Sequence, residues 1–116
     1  MPEDDRTLAA GARDGDERAF AELVRRHRTS ALRVATVVLG HHHGADDVAQ
    51  EATLRAWRAI GSLDPERGFR AWHLRIVANT AHNERRARGR RAALELRRAT
   101  PELAPDDPET AAITRE

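Results

Sequence analysis

The chain contains no cysteine, no tyrosine and no lysine. Without cysteine it forms neither a disulfide framework nor a thiolate metal site, which fits a reducing compartment. Aromatic residues are scarce, two Trp and two Phe among 116 residues. That length predicts one domain at most, with a modest core that needs no covalent staples. No apolar run approaches the length of a membrane span, and the opening stretch MPEDDRT lacks the character of a signal peptide. A cytoplasmic protein is expected. Catalytic signatures are missing too: there is no Gly-rich phosphate loop and no HExxH, and Ser30 and Ser62 have no obvious partners. His82-Asn83-Glu84 faintly resembles a nuclease motif but lacks a second cluster of metal ligands. Neither an enzyme nor a cofactor is expected.

What the chain does have is charge, unevenly distributed. The formal net charge is only +1, yet residues 67–98 hold ten Arg against two acids, Glu84 and Glu95. The remaining residues hold ten Arg against seventeen acids. Such a split predicts a basic surface for a polyanion and acidic surfaces elsewhere, although Arg-rich helix ends are also often simply solvated.

Hydrophobic periodicity is helical throughout, and no alternating run is long enough for a sheet. Residues 1–15 are acidic and interrupted by Gly11 and Gly15, with a short helix expected over Arg6–Arg13. Asp14 or Asp16 is placed to cap the next helix, since a short carboxylate accepts bonds from free N–H groups of the first turn. That helix is expected from Glu17 to Leu39, with Phe20, Leu23, Val24, His27, Ala31, Val34, Ala35 and Val38 on its apolar side. Gly40 is a natural stop. His41, His42 and His43 follow in a loop; adjacent residues cannot all face one ion, so a solvated connection is expected rather than a metal site. From Thr100 the composition turns to Pro, acids and Thr, which predicts a flexible linker or tail over 100–116. The fold class expected is all-α, a compact bundle of three main helices with short flanking helices, its domain spanning residues 16–99.

The stretch ADDVAQEATLRAWRAI, residues 45–60, has two purposeful faces as a helix. Ala45, Val48, Ala49, Ala52, Ala56 and Ile60 recur at three- and four-residue steps and form a stripe for burial. Asp47, Gln50, Glu51 and Leu54 form a second stripe at i, i+3, i+4 and i+7. An ordinary amphipathic helix with acids near its N-terminus would account for much of this. A Leu seated beside a Gln and two acids is better suited to docking on another protein's helix.

The last main helix begins at Phe69, after the GSLDPERG loop of residues 61–68, and Gly89 is expected to interrupt it before a short helix over Arg90–Ala99. Phe69, Trp72, Ile76, Thr80 and Asn83 are expected on one side. Arg75, Asn79, His82 and Arg86 share a neighbouring side and can reach phosphates or base edges. Arg85, Arg88, Arg90 and Arg91 extend the basic patch, and Arg67 and Arg70 flank the loop. Phe69 and Trp72 either pack in the core or offer rings on which unstacked bases sit. Asn79, mid-helix in an apolar stretch, carries a propensity cost that a functional role would explain.

Together these residues resemble a known family. DDVAQEATLRAWRAI, followed by DPERGFRAWHLRIVANTAHNERRARGRR and preceded by ERAFAELVRRHRTSALRVA, is similar to the second conserved region of bacterial sigma factors, in particular the extracytoplasmic-function (ECF) group. The likeness spans residues 8–98. It implies that Asp47, Gln50, Glu51 and Leu54 dock on the clamp helices of the largest subunit of core RNA polymerase. It implies that Ser62–Gly68 resembles a loop that captures a flipped base. By the same resemblance the following helix reads the promoter −10 element and holds its melted non-template strand. Arg75, Asn79, His82, Asn83 and Arg86 match positions on that DNA-facing helix, and with Arg67, Arg70 and Trp72, read from their own chemistry, they make up the expected DNA-binding set. An anti-sigma factor is a further implied partner.

The chain departs from the family at two places. Thr53 stands where the family usually has an aromatic or bulky apolar residue, and Trp72-His73-Leu74-Arg75-Ile76 stands where W-L-Y-R-I is common. Complete factors of this group also carry a second helical domain that reads the −35 element, which this sequence does not supply. A fragment or an unusually short protein is therefore expected. The competing reading is a stand-alone helical DNA-binding regulator that never touches polymerase; a weaker one is a domain that serves mainly as an anti-sigma target. The Asp47/Gln50/Glu51/Leu54 stripe discriminates, because a simple DNA binder does not need it.

Overall fold

The computed structural model describes residues 3–99. The expected tail over 100–116 lies outside the described residues. These are all-α, with no strand among them, and contain five α-helices: α1 (Asp5–Arg13), α2 (Glu17–Arg26), α3 (Arg28–Leu39), α4 (Ala45–Arg58) and α5 (Phe69–Ala99). A 3₁₀ turn, Ile60–Ser62, follows α4. The chain divides into two units, one ending at Arg85 and the other starting at Arg86.

Local chemistry sets the first elements. Asp4 caps α1 by accepting from the Thr7 backbone N–H at 2.8 Å, and Gly15 turns the chain with φ of 99°. Asp16 rather than Asp14 caps α2, accepting from the N–H groups of Arg18 at 3.0 Å and Ala19 at 3.3 Å. The continuous helix expected from Glu17 to Leu39 is instead two helices that meet at His27, whose φ and ψ are −105° and 12°. Backbone bonds from His27 N–H to Leu23 O and from Ala31 N–H to His27 O persist across the junction at 3.1 and 3.0 Å. The departure is therefore a local bend, and the His27 ring at that bend reaches Asp5 of α1, Nε2 to Oδ2 at 2.6 Å. Arg26 joins the same carboxylate at 3.0 Å. A tertiary contact of this kind has no signature in helical periodicity.

Two apolar clusters make the core of the first unit. One gathers Leu8, Ala9 and Ala12 of α1, Ala19, Phe20 and Leu23 of α2, Ala56 of α4, Leu63, and Phe69 of α5. The other gathers Ala31, Ala35 and Leu39 of α3, Ala45, Val48 and Ala52 of α4, and Val77 and Ala81 of α5. Alanine dominates both, which allows close helix packing at almost no loss of side-chain entropy. Rings concentrate in the first cluster. Phe20 lies 5.0 Å from Trp57 and 6.1 Å from Phe69, the latter pair edge to face at 81°. Truncating a buried Phe of this kind costs about 3–5 kcal/mol.

α4 buries Ala45, Val48, Ala49, Ala52 and Ala56 as expected, but Ile60 belongs to the 3₁₀ turn and is only half-buried. On α5 the buried side is Phe69, His73, Val77, Thr80 and Ala81. Trp72 and Ile76 are half-buried beside that row and Asn83 is exposed, so the expected apolar stripe is rotated by about one residue. Val77 and Ala81, packed against α3 and α4, fix this rotation. Gly89 does not interrupt α5. One Gly costs a helix about 1 kcal/mol against Ala, a deficit that the Arg, Ala, Leu and Glu around it offset.

Candidate functional site

The exposed side of α4 carries Asp47, Gln50, Glu51 and Leu54 together. Leu54 is 50% exposed, between Gln50 and Glu51 one turn before it and Arg58 one turn after. Glu51 is ion-paired with Arg55 one turn on, Oε1 to Nε at 3.1 Å. Asp46 and Asp47 lie in the first turn, where they complement the helix dipole, and Asp46 pairs with Arg28 at 3.3 Å.

The connection from α4 to α5 is a well-braced loop. Asp64 Oδ1 accepts from the Glu66 backbone N–H at 3.0 Å, while the Asp64 carbonyl accepts from the N–H groups of Arg67 and Gly68 at 3.1 and 3.2 Å. Gly68 has φ of 92°, in the left-handed region that favours glycine. Glu66 is ion-paired with Arg6 of α1, which ties the loop to the N-terminal helix.

Ser62, Asp64, Arg67 and Gly68 of this loop, with Ala71, Trp72 and Arg75 of α5, enclose a pocket of about 310 Å³. Three of the sequence-predicted residues, Arg67, Trp72 and Arg75, thus meet in one place. Trp72 is both core and wall: it packs on the first cluster, 5.7 Å from Phe69, and also lines the pocket. Arg70 is exposed at the start of α5. Asn79, His82 and Asn83 are exposed further along the helix and do not line the pocket. Arg86, the first residue of the second unit, is exposed as well. Arg85 donates to the Val38 carbonyl at the end of α3, at 3.4 Å, and so helps hold α5 rather than standing wholly free. Guanidinium groups, amides and one indole can neutralise phosphates, bond base edges and stack on a base.

Several ionisable groups in the first unit are shifted by their surroundings. Burial alone would raise the Asp5 pKa, but hydrogen bonds from His27 and Arg26 more than offset it and hold the carboxyl below its ordinary value. Bonds from Arg25 and Arg26 bring Glu22 down to about 2. His73 was not singled out from the sequence, yet it is 1% exposed and neither ring nitrogen has a hydrogen-bond partner. Burial, with a smaller contribution from the charge of His27, pushes its pKa down to about 4. The departure from W-L-Y-R-I at this position was the available signal. In the histidine loop, the His42 and His43 rings stack at 4.5 Å, and no group of three or more His, Cys, Asp or Glu among the described residues is placed to hold a metal ion.

Residues 23–91 match the family described as Sigma-70 region 2. The chain belongs to that family. Its sigma-70 region 2 relatives include the RNA polymerase sigma factor CnrH of Cupriavidus metallidurans, 44% identical over 79 residues, which are 67% of this chain and 41% of CnrH. The chain spans less than half the length of the curated relatives it matches. Among solved structures it is similar to an engineered region 2 of sigmaE in complex with GTAAAA, with a TM-score of 0.71 and 36% identity, covering 78% of this chain and 97% of that one. It is also similar to CnrH in complex with the cytosolic domain of CnrY, with a TM-score of 0.63 and 42% identity, covering 85% and 64%. Other relatives are named as ECF factors, such as SigW of Bacillus subtilis. No helix among the described residues is long and apolar enough to cross a membrane.

Proposed function

We propose that this domain docks on core RNA polymerase and recognises and helps melt the promoter −10 element at transcription initiation. The observation that carries this reading is the exposed α4 stripe, with half-exposed Leu54 set among Asp47, Gln50 and Glu51. The stripe fits the clamp helices of the largest polymerase subunit. The pocket between the Ser62–Gly68 loop and α5 takes a base flipped from the non-template strand, with Trp72 as its aromatic wall and Arg67 and Arg75 for the adjoining phosphates. Asn79, His82 and Asn83 read or position the strand beyond it, and Arg70 and Arg86 add phosphate contacts. The domain directs and opens promoters by binding alone, without covalent chemistry, in the cytoplasm. Residues 16–99 are its functional body, preceded by the acidic segment 1–15. An anti-sigma factor is a further partner in this reading, supported by the complex of the similar CnrH with the cytosolic domain of CnrY.

The test is capture of a labelled single strand carrying a −10 sequence by core polymerase, with and without the chain. Retention by core that appears only when the chain is added supports the reading. Duplex DNA bound by the chain alone, with no association with core, would make it a stand-alone regulator instead.

A further inference from the structure

Ser62 is at the centre of a hydrogen-bond relay that joins the end of α4 to the pocket. Its Oγ donates to the Ala59 carbonyl at 2.7 Å and accepts from Trp72 Nε1 at 3.1 Å. The Ser62 backbone N–H bonds the same Ala59 carbonyl at 2.8 Å, so the serine is fixed through both main chain and side chain. Ala59 is the C-cap of α4, where helix carbonyls lack intrahelical partners and readily accept such bonds. A hydroxyl has a single hydrogen; once it is committed to Ala59, the lone pairs are left to receive the indole N–H. Trp72 is thereby held at its polar tip by Ser62 and at its ring by Phe69, centroids 5.7 Å apart.

We infer that Ser62 is a positioning residue, which fixes the Trp72 indole as a preorganised stacking wall for one unpaired base of a single strand. The inference rests on the base-capture reading of the pocket and assigns a role to a residue that the sequence left without a partner. A ring free to turn about its side-chain bonds would have to be ordered at the moment of binding, and that ordering weakens affinity. The relay does this ordering in advance. A bond that only satisfied a half-buried N–H would stabilise the fold without regard to which base is present.

The experiment compares the full chain with Ser62→Ala and Ser62→Thr for binding to single-stranded DNA hexamers, a set that includes GTAAAA. The tightest-bound hexamer is then tested with an abasic site at each position in turn. Ser62→Ala weakens binding about fivefold, a fraction of the value of one stacked base, and Ser62→Thr, which keeps the hydroxyl, stays within about twofold of wild type. The loss disappears when one particular base is removed and persists at the other positions. In ¹H–¹⁵N spectra, where Trp57 and Trp72 supply the two indole signals, the Trp72 signal moves upfield and exchanges faster in Ser62→Ala alone. Unchanged affinity of Ser62→Ala, or the same loss at every abasic position, would overturn the inference while leaving base capture standing. Failure of the wild type to hold any hexamer would overturn both.

Discussion

His73 lies nearly face to face with Phe69, ring centroids 4.9 Å apart and planes 19° from parallel, in the interior of the first unit. The imidazole is therefore packed as an aromatic ring while both its nitrogens are left without hydrogen-bond partners. An unsatisfied buried polar group of this sort costs about 1–3 kcal/mol.

The histidine makes the fold sensitive to mild acid. Its pKa falls from an ordinary 6.5 to about 4 on folding, so between those values the unfolded chain binds more protons than the folded one. Stability is greatest above about pH 6.5 and declines as the pH drops toward 4, by up to about 3 kcal/mol. His73→Leu should be more stable at neutral pH by about 1–3 kcal/mol and lose most of this slope. Urea titrations of both proteins at pH 7.5 and 5 measure the difference. Parallel pH dependence would show that His73 is not the group responsible.

Gly89→Ala should strengthen α5. A Cβ there meets no atom within 4 Å, and the helix runs through the position, so the gain is about 1 kcal/mol. Amide hydrogen exchange around residues 86–95 should slow by about fivefold. Faster or unchanged exchange would mean that the helix ends before Gly89.

Asn79 and Arg86 are both exposed on α5, and their chemistry separates their expected effects. Asn79→Ala should change the preferred −10 sequence with little loss of total affinity, because an amide bonds base edges. Arg86→Ala should weaken all sequences alike and lower the salt dependence of binding by about one unit of slope. Affinity titrations on a panel of −10 variants at several salt concentrations distinguish the two. A uniform loss for Asn79→Ala would make it a positioning residue.

The helices and both faces of α4 were legible because burial repeats with the helical period, and Leu54 stood out against its polar neighbours. The bend at His27 was not legible, since it goes with a contact to Asp5, twenty-two residues away. The rotation of the α5 stripe was missed for a related reason. Val77 and Ala81 decide it by packing on other helices, whereas the bulk of Trp72 and Ile76 favoured a neighbouring row. Gly89 lies within α5 because the residues around it are strong helix formers, which a single glycine does not outweigh. Arg67, Trp72 and Arg75 were named from the sequence and line one pocket, but that they meet there follows from a loop folded around Asp64, which no sequence pattern announces. Nor does Ser62 have a motif that announces its bond to Trp72.

The central claim is that the α4 stripe engages polymerase, and Glu51→Arg tests it most directly. Glu51 is exposed and its pair with Arg55 lies within the same helix, so the exchange should cost the fold less than about 1 kcal/mol. Binding of wild type and variant to purified core RNA polymerase should show tight association for the first and a loss of at least about tenfold for the second, with unchanged helicity. Equal affinity of the two folded proteins would contradict the account and remove the stripe from the mechanism.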